Sequence, residues 1–271
     1  MTAWQPGPAW LFCPADRPDR YAKAAGRADV VIIDLEDAVA PDRKAQARAD
    51  LTAYGDCDPE RTLVRVNPAG TADHERDLEA LARNQIRRVM LAKTELPEDV
   101  TGLSGYDVVA LFETPRGIVR AAEIMRVPHV VGAMWGAEDL VAAMGGTSSR
   151  DAVGAYRPYA VHAQSVALLA AKAEGKLAID AVHLDIPDLD GLRAETATAA
   201  ASGFDAKALI HPGHVGVVRE VYAPTPERVA WAERVLAGVA EHGAGVFSLD
   251  GQMVDGPVVA QARRVLGWVA N

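Results

Sequence analysis

At four places in the chain, charged or amide residues follow directly on an apolar run. Asp34-Leu35-Glu36-Asp37 closes the run Val30 to Ile33, Arg65 and Asn67 end Leu63 to Val66, Glu113 follows Val108 to Phe112, and Glu138-Asp139 follows Ala133 to Ala137. Apolar runs of about four to eight residues bounded in this way read as buried strands, so each polar group stands at a strand end. If Glu113 and Asp139 end neighbouring strands, about 4.8 Å apart, the two carboxylates can share one hard cation. Mg2+ suits such a pair, because it takes oxygen ligands at about 2.1 Å, usually from one or two carboxylates, and leaves its other positions to water and substrate. The alternative is that each acid caps the helix that follows it. With Val64 and Val66 turned outward, Arg65 brings a planar guanidinium to the same end, able to hold a carboxylate or thioester oxygen by two prongs. An ion pair with Glu36 is the other reading of Arg65, and the two roles are compatible.

Other residue types limit the chemistry. His183, placed inside the expected seventh strand, and His211, just after the eighth, read as hydrogen-bonded structural histidines. H-E-x-x-H, P-loop and G-x-S-x-G patterns do not occur, which removes the commonest zinc protease, NTPase and serine hydrolase readings. Two cysteines, Cys13 and Cys57, are too few for a disulfide framework and read as buried thiols. With 28 basic and 37 acidic residues the net charge is −9, which opposes nucleic-acid binding and makes an anionic ligand depend on a local cluster of Lys and Arg. No run approaches the roughly 20 apolar residues of a membrane span, and the start lacks a basic segment followed by a long apolar one. No membrane partner and a cytoplasmic location are therefore expected.

The elements that must position these residues alternate strand and helix. Strands are expected at 10–13, 30–34, 63–66, 88–91, 108–112, 130–135, 178–184 and 206–210, with helices between them at 18–25, 43–53, 74–83, 116–125, 158–173 and 189–202. Eight strands in a chain of 271 residues, 49% hydrophobic and 24% charged, predict an α/β fold, a (β/α)8 TIM barrel. An open doubly wound sheet is the main alternative, and no G-x-G-x-x-G turn favours it. The barrel is assigned to residues 1–222. A C-terminal helical extension, 223–271, carries helices at 225–240 and 257–270 around a glycine-rich segment from Gly243 to Gly256, and is expected to pack on its own barrel or on a neighbouring subunit.

The segments F-C-P-A-D-R-P (12–18), V-I-I-D-L-E-D-A-V (31–39), V-R-V-N (64–67), F-E-T-P-R-G (112–117) and W-G-A-E-D-L (135–140), in this order, resemble the citrate lyase β-subunit family within the HpcH/HpaI aldolase/citrate lyase group. More narrowly they look like its free-standing, actinobacterial citrate lyase β-like acyl-CoA lyases. The resemblance implies a homotrimer of barrels, Mg2+ with Mn2+ as the alternative ion, and coenzyme A as part of the substrate. The implied reaction splits a 3-hydroxyacyl-CoA of the citramalyl-CoA, malyl-CoA or 3-hydroxy-3-methylglutaryl-CoA type into acetyl-CoA and an oxo acid. It implies Glu113 and Asp139 as metal ligands, Arg65 as substrate contact, and Asp37 with Glu36 beside it orienting water around the ion. G-Q-M-V-D-G-P (251–257) resembles the segment that carries the general acid/base into an adjacent subunit's site, here Asp255. Gly203 to Pro212 matches the stretch whose Ile210 and His211 lie along coenzyme A, with Phe12 and Lys23 across the groove and Arg17, Arg20 and Lys207 as positive charge for the phosphates. Rival readings are a citrate lyase β subunit working on a carrier-bound citryl thioester, a class II pyruvate aldolase, and a non-catalytic acyl-CoA-binding regulator.

Overall fold

Eight parallel strands close into one barrel in chain order, the last pairing with the first through Ala9–Lys207, Trp10–Ala208 and Leu11–Leu209. The structure, a computed structural model, describes residues 4, 6–55, 57–243 and 245–269. The strands are β1 Ala9–Pro14, β2 Val30–Asp34, β3 Thr62–Val66, β4 Arg88–Leu91, β5 Asp107–Phe112, β6 Val130–Trp135, β7 Leu177–Asp180 and β8 Ala206–Leu209. Helices α1 Tyr21–Ala25, α2 Lys44–Ala53, α3 Ala72–Leu81, α4 Pro97–Thr101, α5 Pro115–Met125, α6 Ala137–Ala143, α7 Pro158–Ala173 and α8 Leu189–Ser202 alternate with them, followed by α9 Val215–Tyr222. The fold is the expected (β/α)8 barrel. The short helices α4, α6 and α9 are additions to the expected set.

Side chains alternate across a strand, so every second residue enters the barrel. The inner layer is apolar: Val30 and Ile32 from β2, Leu63 from β3, Val109 and Leu111 from β5, and Met134 from β6 pack with Trp10 and Ile179. One more step of two along the same strands reaches Asp34, Arg65 and Glu113. The alternation that builds the core therefore also delivers the polar residues to the C-terminal mouth, where barrels of this class carry their chemistry.

Strand β7 is shorter than expected and ends at Asp180, so His183 lies beyond it. The buried Lys207 ammonium takes the Ala181 carbonyl at 2.9 Å and Asp180 at 2.7 Å, so that carbonyl is engaged by a side chain rather than by ladder pairing. This also corrects the reading of Lys207 as a phosphate-facing charge: it is 1% exposed. Both cysteines are free and buried. Among the described residues no helix is long and apolar enough to cross a membrane.

The chain divides into two compact units, residues 1–218 and 219–271. In the second, α10 Pro226–His242 and α11 Gly256–Val269 flank an antiparallel hairpin, β9 Phe247–Leu249 and β10 Gln252–Val254. The expected helix end at Ala270 lies outside the described residues. The hairpin turn is Asp250-Gly251, with φ of 52° and 77°, as a two-residue turn with two left-handed residues requires. Ala232, Val235, Val254 and Ala262 form this unit's own core. Asp255 sits between β10 and α11, partly buried, with its Oδ1 accepting the Val258 N–H at 3.3 Å.

Candidate active site

Asp34 and Arg65 are register partners at the ends of β2 and β3. Adjacent and both inward, they form a two-pronged pair: Arg65 Nε donates to Asp34 Oδ1 at 2.7 Å and Nη2 to Oδ2 at 2.5 Å. Arg65 Nη1 lies 3.2 Å from Glu36 Oε2. Burial works against the guanidinium charge, but the charges of Asp34 and Glu36 overcome it and hold Arg65 above its ordinary pKa. The Asp34 carboxylate also accepts the N–H groups of Glu36 and Ala38, which bends the chain after β2 so that Glu36 faces Arg65. Arg65 therefore makes the expected ion pair with Glu36 and also stands in the mouth, its guanidinium carbon 4.9 Å from the centre of the Phe12 ring.

Neither Glu113 nor Asp139 caps a helix. Helix α5 is capped by the Thr114 hydroxyl, which accepts the Gly117 N–H at 3.1 Å, and α6 begins at Gly136 with no side-chain cap. Glu113 is 2% exposed, and its Oε1 accepts the Lys93 N–H at 2.9 Å. Burial first, and then the nearby charge of Asp139, push the Glu113 carboxyl up from 4.5 to about 8, with Arg65 pulling the other way. Two like charges held this close to one cavity are relieved by a cation. Among the described residues no group of three or more His, Cys, Asp or Glu could hold a metal. A pair of carboxylates is nevertheless the donor set that Mg2+ uses when water and substrate complete its shell, and it does not suit a closed zinc site. Glu138, next to Asp139, also lines the cavity, and it accepts the Ser149 hydroxyl at 2.6 Å.

Gly136 makes room for the pair, since a Cβ there would stand 3.0 Å from Glu113 Oε2 and 3.0 Å from its Cβ. Gly136→Ala is expected to weaken any divalent-cation binding at this pair about ten-fold by displacing the Glu113 carboxylate. It should cost about 1 kcal/mol of stability through the poorer helix cap. Calorimetric titration beside thermal unfolding separates the two effects, and unchanged metal affinity would contradict this role of the glycine.

A cavity of about 260 Å³ opens at the mouth and gathers Phe12, Arg65, Glu113, Asp139 and Ile210, with Leu111 and Met134 at its floor. Lys23 is exposed on α1, and His211 is exposed just past β8, where its Nδ1 accepts the Gly213 N–H. His183 is buried, with Nδ1 3.1 Å from Glu195 Oε2. Asn67 is structural, donating to Leu35 O and Asp77. Sequence reasoning passed over Lys93, whose ammonium bonds Glu36, lies 3.0 Å from Asp37 and lies 3.4 Å from Asp139. It follows the apolar run of β4 as the other polar groups follow theirs, so the same signal pointed to it.

The model of the HpcH/HpaI aldolase/citrate lyase family matches residues 9–212. The chain is 56% identical over 260 residues to a citrate lyase subunit beta-like protein of Mycobacterium tuberculosis, covering 96% of this chain and 94% of that protein. It is 30% identical over 293 residues to the mitochondrial citramalyl-CoA lyase of Rattus norvegicus, covering 96% of this chain and 85% of that protein. It superposes with a TM-score of 0.93, at 55% identity and with 98% and 99% of the two chains covered, on the crystal structure of M. tuberculosis CitE in complex with magnesium, acetoacetate and coenzyme A. A family match spanning the whole barrel, relatives that cover nearly the whole chain, and a mouth built from the motif residues agree: the chain belongs to the HpcH/HpaI aldolase/citrate lyase family.

Proposed function

We propose that this protein is a Mg2+-dependent carbon–carbon lyase that splits a 3-hydroxyacyl-CoA of the citramalyl-CoA, malyl-CoA or 3-hydroxy-3-methylglutaryl-CoA type into acetyl-CoA and an oxo acid. The observation that carries this reading is the Glu113–Asp139 carboxylate pair beside Arg65 in one small cavity at the barrel mouth. The relative crystallised with magnesium, acetoacetate and coenzyme A supports it. At about 260 Å³ the cavity holds a short acyl group and is below the usual size of a pocket for a larger ligand. The coenzyme arm would then run outward past Phe12 and Ile210, with Lys23, His211 and the exposed Arg20 toward its far end.

Glu113 and Asp139 would hold the ion, which supplies Lewis-acid polarisation of substrate oxygens when bound. Arg65, fixed by Asp34 and Glu36, meets the negative charge that develops on the thioester oxygen as the bond breaks. Leu111 and Met134 keep the floor of the cavity apolar. Cleavage removes the hydroxyl proton, turns the O–H pair into the new carbonyl, and leaves the Cα–Cβ pair on the thioester fragment, which regains a proton at carbon. Of the carboxylates lining the cavity, Asp34 is paired with Arg65 and Glu138 accepts from Ser149, while Glu113 and Asp139 would hold the ion. We assign the base to Asp255, as the resemblance of segment 251–257 to the family implies, brought by the extension of a neighbouring subunit in a cytoplasmic homotrimer.

Saturable binding of acetyl-CoA to the purified protein, weakened by coenzyme-phosphate analogues, tests the thioester assignment. No binding would favour a class II aldolase that takes free oxo acids. The metal assignment has its own pH signature. Because the Glu113 pKa is raised in the folded protein, protonated Glu113 stabilises the metal-free fold fully below about 4.5, and that contribution is lost as pH rises through about 8. Metal must displace this proton, so Mg2+ affinity is expected to rise by up to about ten-fold per pH unit between pH 6 and 8. The unfolding-temperature gain at fixed Mg2+ should grow across that window; a gain independent of pH would contradict ligation by Glu113.

A further inference from the structure

Lys93 stands just past β4 with a φ of +49°, the left-handed region that a residue with a side chain occupies at a cost. The conformation places two different groups of one residue on the two members of the carboxylate pair. The main-chain N–H donates to Glu113 Oε1 at 2.9 Å. The ammonium bonds Glu36, donates to Asp37 at 3.0 Å and lies 3.4 Å from Asp139 Oδ1. Burial opposes the Lys93 charge, but its hydrogen bonds to Glu36 and Asp37 hold the ammonium above its ordinary pKa.

The charge balance of the mouth makes this contact consequential. Asp34, Glu36, Asp37, Glu113 and Asp139 surround Arg65 and Lys93, and Arg65 is engaged by Asp34 and Glu36. The ammonium of Lys93 therefore sits beside Asp139 at the place where a divalent ion would need that carboxylate. Resting on the metal site proposed above, we propose that Lys93 is a positioning residue that sets the affinity of the site for its metal. Its N–H orients Glu113 for ligation, and its ammonium serves as an internal counter-cation that must leave Asp139 when the divalent ion enters. The main chain of Lys93 thus favours metal binding and its side chain opposes it.

Substitutions separate the two contributions because glycine and asparagine accept a left-handed backbone. Lys93→Gly and Lys93→Asn keep the N–H on Glu113 and delete the ammonium, whereas Lys93→Arg keeps the charge. Mg2+ titration by calorimetry, with Mn2+ titration by electron paramagnetic resonance as a second probe, is read on the full chain without substrate. The glycine and asparagine variants should bind metal roughly ten-fold more tightly, as removal of one nearby positive charge at partial burial predicts. The arginine variant should stay within about three-fold of the original protein, because its charge is retained. Unchanged or weaker binding in both uncharged variants overturns the proposal, and so does an arginine variant that tightens as much as they do. Asparagine provides the readout if the glycine variant does not fold. Glu113→Gln is titrated alongside: if the original protein binds no Mg2+, or binds it equally well after Glu113→Gln, the metal site fails and the Lys93 proposal falls with it. Glu113-dependent binding that ignores Lys93 overturns the Lys93 proposal alone.

Discussion

Replacing Glu113 by Gln is expected to lower metal-dependent turnover by at least about 1,000-fold while leaving the metal-free fold as stable as before or slightly more so. The two halves of this result have one cause. Burial and the charge of Asp139 hold the Glu113 carboxyl up at about 8, so at neutral pH without metal it is mostly protonated, and a neutral amide of the same shape replaces it at little cost. The amide oxygen can still accept the Lys93 N–H that Oε1 accepts now. What the variant cannot do is present a second anionic oxygen beside Asp139. Calorimetry should show the unfolding temperature without Mg2+ within about 2 °C of the original and the Mg2+-induced rise abolished. Substantial residual turnover that still responds to chelator would remove Glu113 from the ligand set.

Asp255→Asn is expected to cost about 100- to 10,000-fold in turnover with Mg2+ affinity unchanged, since it removes the proposed proton carrier and leaves the carboxylate pair intact. The stronger form of the test mixes subunits. Either variant alone, Glu113→Gln or Asp255→Asn, should keep at most about 1% of the original turnover. If each site combines one subunit's barrel with a neighbour's extension, co-refolded or co-expressed mixtures should recover about a quarter of the original activity by random assortment. Absence of recovery in mixtures shown by mass to be hybrid would place Asp255 outside the shared site.

The barrel was legible because its strands are apolar runs buried on both faces, and the polar residues at their ends followed from the same boundaries. Asp34, Arg65 and Glu113 are the next inward positions after Val30-Ile32, Leu63 and Val109-Leu111, so the alternation that marks the core also marks the site. Both of two adjacent acids line the cavity, and which of them pairs with Glu113 was less legible. Glu138 and Asp139 both lie in the first turn of α6, and only the long-range contact of Glu138 with Ser149 separates them. Lys207 misled because a lysine in an apolar strand gives no sign in sequence of Asp180, its partner 27 residues away. His183 was placed in a strand that ends at Asp180, since the apolar run continues past the point where its ladder stops. The hairpin in the extension announced itself by Asp250-Gly251, a strong short-range turn signal that the abundance of glycine from Gly243 to Gly256 masked.

The central claim is that the mouth of this barrel breaks a carbon–carbon bond beside a coenzyme A thioester with Mg2+. The most direct measurement is release of acetyl-CoA from purified protein given citramalyl-CoA, malyl-CoA, 3-hydroxy-3-methylglutaryl-CoA and citryl-CoA in turn, first with Mg2+ and then with excess chelator. Acetyl-CoA and the matching oxo acid should appear in equal amounts from at least one of the first three thioesters and vanish with chelator. Release that persists in chelator, or acetyl-CoA binding with no cleavage of any of the four, would contradict the lyase assignment and point to a carrier-dependent subunit or a binding protein.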